Sequence, residues 1–487
     1  MRQVKKISSY ISFLGEDVKD FCIQNDFEVD KITSDSRQAS EKSVFCAVKG
    51  VKCDGNDFID NALTGGASAV LSMEKHDECK NFIQVFDDRM AYSEMQRFFY
   101  GEPDCSLKLI GVTGTNGKTT SVYLFYNLLR ELQKKTAFFT TINNYDGKKW
   151  QDSDCTTPDA GVLFEFMARA RHEMAEFLAM ECSSHALSQK RLGKSRFQVV
   201  LFTNLTGDHL DYYGTMTNYF EAKKELFLQH TVNDGTAVVN IDDEYGRKLV
   251  GDLKENKINV TTFGFAEDAD FKMTEIKTEF FINGSKLQSS LFGRHNFYNI
   301  TGVVAALASL GFEFEKCLEI LRDKNISIPG RLEKIELGSH GTAFVDYAHT
   351  DDALKQVLEI LRQESCRRKG RLICVFGCGG DRDRSKRSRM GRVVSELADE
   401  FIVTSDNPRH EKAEDIINEI LAGSVKKPFC IDPDRRSAIR TAVEFASGND
   451  IILVAGKGHE KNQQIGDVKM PFDDCEELKN AIMEREI

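Results

Sequence analysis

The sequence has no long apolar run, no paired-cysteine motif and little proline, and each shortage removes a class of protein. The longest apolar stretch, around "GVVAALASLGF", falls far short of the ~18 residues needed to cross a bilayer. The opening "MRQVKKISSYISFLGEDVKDF" sets basic residues before a short apolar stretch. Glu16 and Asp17 interrupt it and no small-x-small cleavage site follows, so it reads as the first helix of the fold. The 13 cysteines include no Cys-x-x-Cys pair, and the nearest neighbours are Cys374 and Cys378. That usage excludes a disulfide framework and a zinc ribbon and fits reduced cytosolic thiols. With 7 prolines and no Ser-, Gln- or Pro-rich tract, no segment is too polar to bury a core. Positive charge is also short: the formal net charge of -11 repels phosphate backbones and anionic lipid. Neither nucleic acid nor a membrane is therefore an expected partner, and a cytoplasmic monomer acting on small molecules is the expectation.

What is present is length and alternation. A chain of 487 residues is too long for one core, and roughly 100–200 residues per domain gives about three. "GEPDC" at 101–105 and "SIPGRLEK" at 327–334 carry turn chemistry, which divides the chain into 1–105, 106–330 and 331–487. Strand-like runs alternate with helical patterns throughout: "SVFCAVKG" in the first third; "KLIGVTG", "AEFLAMECSS", "FQVVLFTNL" and "GTAVVNIDD" in the second; "GTAFVDYAHT", "RLICVFGCGGDRD", "DEFIVTSDNPR" and "DIILVAGKGHE" in the third. Alternation of this kind predicts α/β domains with parallel sheets covered on both faces. Ligands of such sheets bind at the carboxyl ends of the strands, where the chemistry-bearing residues of this sequence cluster.

Gly114-Thr115-Asn116-Gly117-Lys118-Thr119-Thr120 meets the needs of a phosphate-binding loop. The glycines let backbone N–H groups face phosphates, Lys118 reaches the terminal phosphates of ATP, and a threonine hydroxyl can ligate Mg²⁺. Val112 stands where the usual pattern has its first glycine, so the loop is a variant. Triphosphate charge is managed by hard cations with oxygen ligands, and two neighbouring strand ends carry candidates, Glu181 after "FLAM" and His209 after "VVLFTNL". Lys223 in "YFEAKKELF" reads from its spacing as a surface residue beside Lys224 and Glu225.

These stretches, with "TTPD" (156–159), "MECSSHAL" (180–187), "GRHNFYN" (293–299), "PGRLE" (329–333), "DNPR" (406–409) and "GKGHE" (456–460), resemble the Mur ligase family of peptidoglycan synthesis over essentially the whole chain. The last motifs in combination resemble the branch that adds the third residue of the stem peptide. The resemblance implies an N-terminal α/β domain for the UDP-sugar substrate, a central P-loop ATPase-type parallel sheet and a C-terminal Rossmann-like domain for the amino acid. It implies ATP-driven amide formation through an acyl phosphate, with Mg²⁺. By motif position it implies that Thr119 holds one Mg²⁺, that Glu181 and His209 hold a second, and that Lys223 reacts with CO₂ to a carbamate that helps hold it. It assigns Asn296, Arg331 and Asp346 to the adenine, phosphate and ribose of ATP. It lays UDP-N-acetylmuramoyl-L-alanyl-D-glutamate across Ser36, Thr156, Thr157, Ser183, Gln189 and Arg191; for Ser36 a simple turn role stands equally open.

The amine is read from the last loops. The side chain of meso-diaminopimelate ends in an amino-carboxylate and that of lysine in an amine alone, so a guanidinium that can bind a carboxylate bidentately favours the former. Arg409 offers this, with Asn407 beside it, Arg382 for the other carboxylate, and Glu460 with the Gly456 backbone for the distal ammonium. The alternative is a solvent-facing Asn-Pro-Arg turn. Tyr213, His295, Asp351 and Ser388 depart from the common family pattern. A lysine-adding ligase, a folylpolyglutamate synthetase-like ligase and a nucleotide-binding switch that forms no bond remain the rival readings. Assembly of three substrates predicts hinge motion at 101–105 and 327–334.

Overall fold

The computed structural model describes residues 4–50, 53–76, 79–153, 155–208, 210–277, 279–291, 293–338 and 341–485. The chain divides into two compact units, Met1–Ile326 and Ser327–Ile487. Unit one holds two large sheets and unit two holds one, so three α/β layers follow one another along the chain as anticipated.

The first sheet has the order Val18–Ile23, Asn81–Val85, Ala69–Ser72, Ser43–Cys46, Lys31–Thr33, antiparallel only at its first pair. The opening helix is shorter than expected, Ile7–Leu14, because Gly15 turns the chain out at a positive φ of 55° and "VKDFCI" becomes the edge strand. The segment at 101–105 is anchored: Pro103–Ser106 form a 3₁₀ turn, the Arg97 guanidinium donates to both Asp104 carboxylate oxygens at 2.9–3.0 Å, and Arg171 donates to the carbonyls of Tyr100 and Gly101.

Among the described residues the central sheet has eleven strands. Its parallel core runs Thr136–Phe139, Phe177–Glu181, Lys108–Thr113, Phe197–Phe202, Thr231–Asn240, Asn259–Gly264. Helices cover both faces, which is why "FLAME" is buried at every residue and "FQVVLF" at all but Gln198. Register then fixes the site: Glu181 pairs with Val112 and Phe202 with Thr113, so both neighbouring strands end beside the loop that follows Thr113.

Unit two has the strand order Glu333–Glu336, Thr342–Asp346, Ile451–Ala455, Leu372–Phe376, Glu400–Val403, Cys430–Ile431, parallel except for the first. The loops after the three central strands and after Thr342–Asp346 therefore leave the same edge of the sheet. Asp351 opens the helix Asp351–Arg368, where its charge suits the helix N-terminus and pairs with Arg389 at 2.9 Å, so a proline is not required there. Among the described residues no helix is long and apolar enough to cross a membrane.

Candidate active site

The phosphate loop joins the strand Lys108–Thr113 to the fourteen-residue helix Lys118–Glu131, whose N-terminus carries the positive end of the helix dipole. The need for glycine is steric as much as electrostatic. Gly117 has φ 86°, and a Cβ there would lie 2.2 Å from Asn299 Oδ1; at Gly114 a Cβ would lie 1.9 Å from Thr203 Oγ1. The adjacent strand end grips the loop: Thr115 N donates to Asn204 O at 2.9 Å, and Asn116 N donates to Asn204 Oδ1 at 3.0 Å. Lys118 curls inward, donating to the carbonyls of Gly114 and Thr115 at 2.9 and 2.8 Å.

Glu181 is buried at the end of its strand and gathers the next layer. It accepts from Thr119 Oγ1 at 2.9 Å, from Thr141 N at 2.8 Å and from Thr141 Oγ1 at 3.1 Å. The Thr141 and Thr156 hydroxyl oxygens also lie within hydrogen-bond distance, 3.0 Å apart. Thr157 Oγ1 donates to Glu181 O and accepts from Ser183 N, while the Ser183 hydroxyl caps the helix Ser184–Ser188. Arg191 completes the cluster, donating to Thr157 O at 2.6 Å and to Gln189 Oε1 at 2.8 Å. One hydrogen-bonded chain thus runs from Thr119 through Glu181 and Thr141 to Thr156.

Gln189 and Arg191 line a cleft of about 100 Å³ with Ser34, Lys49, Arg89 and Asp159. Ser34 lines it and Ser36 does not: Ser36 opens a 3₁₀ turn whose Asp35 cap is bonded bidentately by the exposed Arg37.

The surface reading of Lys223 is corrected. It is 1% exposed on the helix Met216–His230, within a buried stripe of Tyr219, Phe220, Leu226, Phe227 and His230, and its Nζ donates to Gly114 O at 3.0 Å. Burial, and secondarily the charge of Lys118, pushes the Lys223 ammonium well below its ordinary range. His209 lies outside the described residues. Among those described, no three His, Cys, Asp or Glu form a metal-holding group. The hard hydroxyl and carboxylate oxygens of Thr119 and Glu181, 2.9 Å apart, are the donor type Mg²⁺ takes.

Asn296 is buried in the first turn of the helix Arg294–Ser309. The neighbouring His295 is drawn down to about 4 by burial, its Nδ1 without a partner among the described residues. In unit two, Asp346 is buried at its strand end and accepts from Leu332 N at 2.7 Å and Ala348 N at 2.8 Å; burial raises its carboxyl above the usual range despite nearby Arg331. The Arg331 guanidinium lies 4.7 Å from the Tyr347 ring centroid.

The loops expected to hold the amine meet at the same sheet edge. Arg409 has φ 51°, its N–H donates to Gln464 O, its carbonyl accepts from Gly466 N, and its Nη1 donates to Gly380 O at 2.7 Å. Asn407 Nδ2 donates to Glu460 Oε2 at 2.8 Å, and Gly456 N donates to Asp346 O. Arg382 is exposed. These contacts do not describe a plain Asn-Pro-Arg turn on the surface, since 406–408 are buried.

Family models match three consecutive parts of the chain: a Mur ligase family catalytic domain at 28–96, a Mur ligase middle domain at 112–307 and a Mur ligase glutamate ligase domain at 330–458. A protein of Clostridium acetobutylicum, described as UDP-N-acetylmuramoyl-L-alanyl-D-glutamate--2,6-diaminopimelate ligase 1, is 39% identical over 479 residues, covering 95% of this chain and 96% of that one. The chain belongs to the Mur ligase family. A ligase of the same description from Parabacteroides distasonis is 40% identical over 465 residues, 93% of this chain and 94% of its own. A solved structure of a ligase so described superposes with a TM-score of 0.70 at 30% identity, covering all of both chains. A solved structure described as MurF ligase from Thermotoga maritima in complex with ADP shares the fold, at 21% identity and a TM-score of 0.61, covering 93% of this chain and 98% of that one.

Four positions not expected from the sequence lie among these residues: Ser34 in the cleft, Thr141 between Glu181 and Thr156, and the buried Asp406 and Lys457 beside Asn407. Thr141 carried no motif signal. Lys457 and Asp406 sat inside quoted motifs, and a charged residue in a run that ends a buried strand was the available sign.

Proposed function

We propose that the protein is an ATP-dependent, ADP-forming ligase of the MurE type, which joins meso-diaminopimelate to UDP-N-acetylmuramoyl-L-alanyl-D-glutamate in peptidoglycan precursor synthesis. The observation that carries the reading is the hydrogen-bonded chain Thr119–Glu181–Thr141–Thr156, which links the nucleotide loop directly to the threonines of the acceptor-substrate segment. A carboxylate condenses with an amine in water only after activation. The terminal carboxylate oxygen of the acceptor attacks the γ-phosphorus, the bond from the β,γ-bridging oxygen to that phosphorus breaks, and ADP leaves. The unprotonated amine then attacks the acyl carbon, loses a proton, and expels phosphate.

Lys118, at the mouth of the helix dipole, neutralises charge on the transferring group, which is where phosphoryl transfer gains most of its rate. Thr119, Glu181, His209 and a carbamylated Lys223 are the residues that would hold Mg²⁺, which when bound offsets phosphate charge. The depressed ammonium of Lys223 supplies the neutral amine that reacts with CO₂. Asn296, Arg331 and Asp346 serve ATP; Ser36, Thr156, Thr157, Ser183, Gln189 and Arg191 serve the nucleotide-sugar; Arg382, Asn407, Arg409, Gly456 and Glu460 serve the diaminopimelate. Heavy oxygen placed in the acceptor carboxylate tests the route: one labelled oxygen must appear in the released phosphate, and release of phosphate without label would exclude the acyl phosphate.

A further inference from the structure

The parallel strands of unit two release the loops 404–409 and 456–460 side by side, and one buried ammonium ties them together. Lys457 has no exposed surface; its Nζ donates to Asn407 Oδ1 at 3.1 Å and to Glu460 Oε2 at 3.0 Å. Asn407 Nδ2 donates to the same Oε2 at 2.8 Å. Both bonds to Glu460 fall on one oxygen, and among the described residues Oε1 is left for a further donor. The Glu460 side chain is one-third exposed, 33%, so that oxygen can be reached. Enclosing a lysine costs desolvation, and a position that served packing alone would be filled at lower cost by methionine or leucine.

We propose that Lys457 is a positioning residue for the amine substrate: it holds the Glu460 carboxylate ionised and oriented, with Oε1 as the acceptor for the distal ammonium. The inference rests on the reading of Glu460 as the ammonium site given above. Burial by itself raises the Glu460 carboxyl, and the Lys457 charge together with the Asn407 and Lys457 hydrogen bonds brings it below the usual range. The other charged or titratable groups facing Glu460 are Asp406, whose carboxylate borders Gly456, with Tyr347, His459 and Arg435.

The test compares Lys457→Met, Lys457→Gln and Glu460→Gln in the full-length enzyme, reading kcat and the KM of each substrate across pH. For either lysine variant the KM for meso-diaminopimelate rises about tenfold or more, as loss of a charged hydrogen bond predicts, while the KM values for ATP and the nucleotide-sugar hold. Because Glu460 then protonates more readily, that rise grows as pH falls. Adding either substitution to Glu460→Gln raises KM no further. If Glu460→Gln leaves the amine KM unchanged, the reading of Glu460 fails and this inference with it. If Glu460→Gln raises KM and the lysine variants do not, or if they lower kcat without a pH-dependent change in amine KM, Lys457 alone loses its role. Failure of both lysine variants to fold by circular dichroism would also overturn it, marking the lysine as a stability residue.

Discussion

Lys118 and Lys223 donate to the same atom, the carbonyl oxygen of Gly114, from opposite directions in the chain and at 2.9 and 3.0 Å. Burial first, and the nearby Lys118 charge second, hold the Lys223 ammonium well below its ordinary range. A lysine amine that gives up its proton more readily than an ordinary one thus lies behind the loop.

That amine sets the first prediction. The folded value lies below the ordinary 10.5, so between the two the unfolded chain binds more protons and stability rises with pH. Labelled bicarbonate should give a carbamate carbon signal by NMR that grows as pH rises through the folded value and fades as it falls. Lys223→Ala should abolish the signal and lower turnover about a hundredfold or more. A signal of equal size in the variant would place the carbamate elsewhere.

Gly117→Ala should weaken nucleotide binding by about tenfold or more, because the methyl meets Asn299 Oδ1 at 2.2 Å and the backbone stays at φ 86°, a strain of about 1–3 kcal/mol. Asn299→Ala in the same chain should recover part of the loss by removing the clash while leaving the strain. Calorimetric titration with ATP distinguishes the two contributions.

Arg409→Ala should lower kcat/KM for meso-diaminopimelate about a hundredfold and spare acyl-phosphate formation. The backbone at 409 is held by Gln464 and Gly466, so the substitution removes the guanidinium without releasing the loop. Unchanged efficiency with that amine would remove Arg409 from the site.

His410 stands exposed between Asp381 at 2.8 Å and Asp467 at 3.2 Å, and these carboxylates raise its imidazolium above the ordinary 6.5. The stabilising contribution is fully present below that ordinary value and is lost as pH rises through the folded one. Hydrogen exchange at 380–382 and 466–467 should therefore quicken across that window, and His410→Ala should remove the pH dependence.

The shape of the loop at 114–120 was legible because its determinants are local: glycines, a lysine and threonines within seven residues join a strand to a helix N-terminus. Glu181 was legible because parallel pairing puts every strand end at one edge. Lys223 was misread on spacing because its charged neighbours Lys224 and Glu225 drew attention from the period. Tyr219, Phe220, Leu226, Phe227 and His230 mark a buried face at three- and four-residue intervals, and Lys223 sits in its middle. Ser34, Thr141 and Lys457 gain their places from partners far along the chain or from burial that no local pattern announces, as Thr141 does from Glu181 forty residues on.

The most direct measurement is phosphate release by the purified protein with ATP, Mg²⁺ and UDP-N-acetylmuramoyl-L-alanyl-D-glutamate, comparing meso-diaminopimelate, L-lysine and no amine. The account predicts release coupled to a tripeptide product with meso-diaminopimelate alone. Preference for lysine would contradict the assignment of Arg409, and release independent of any amine would contradict the ligase itself.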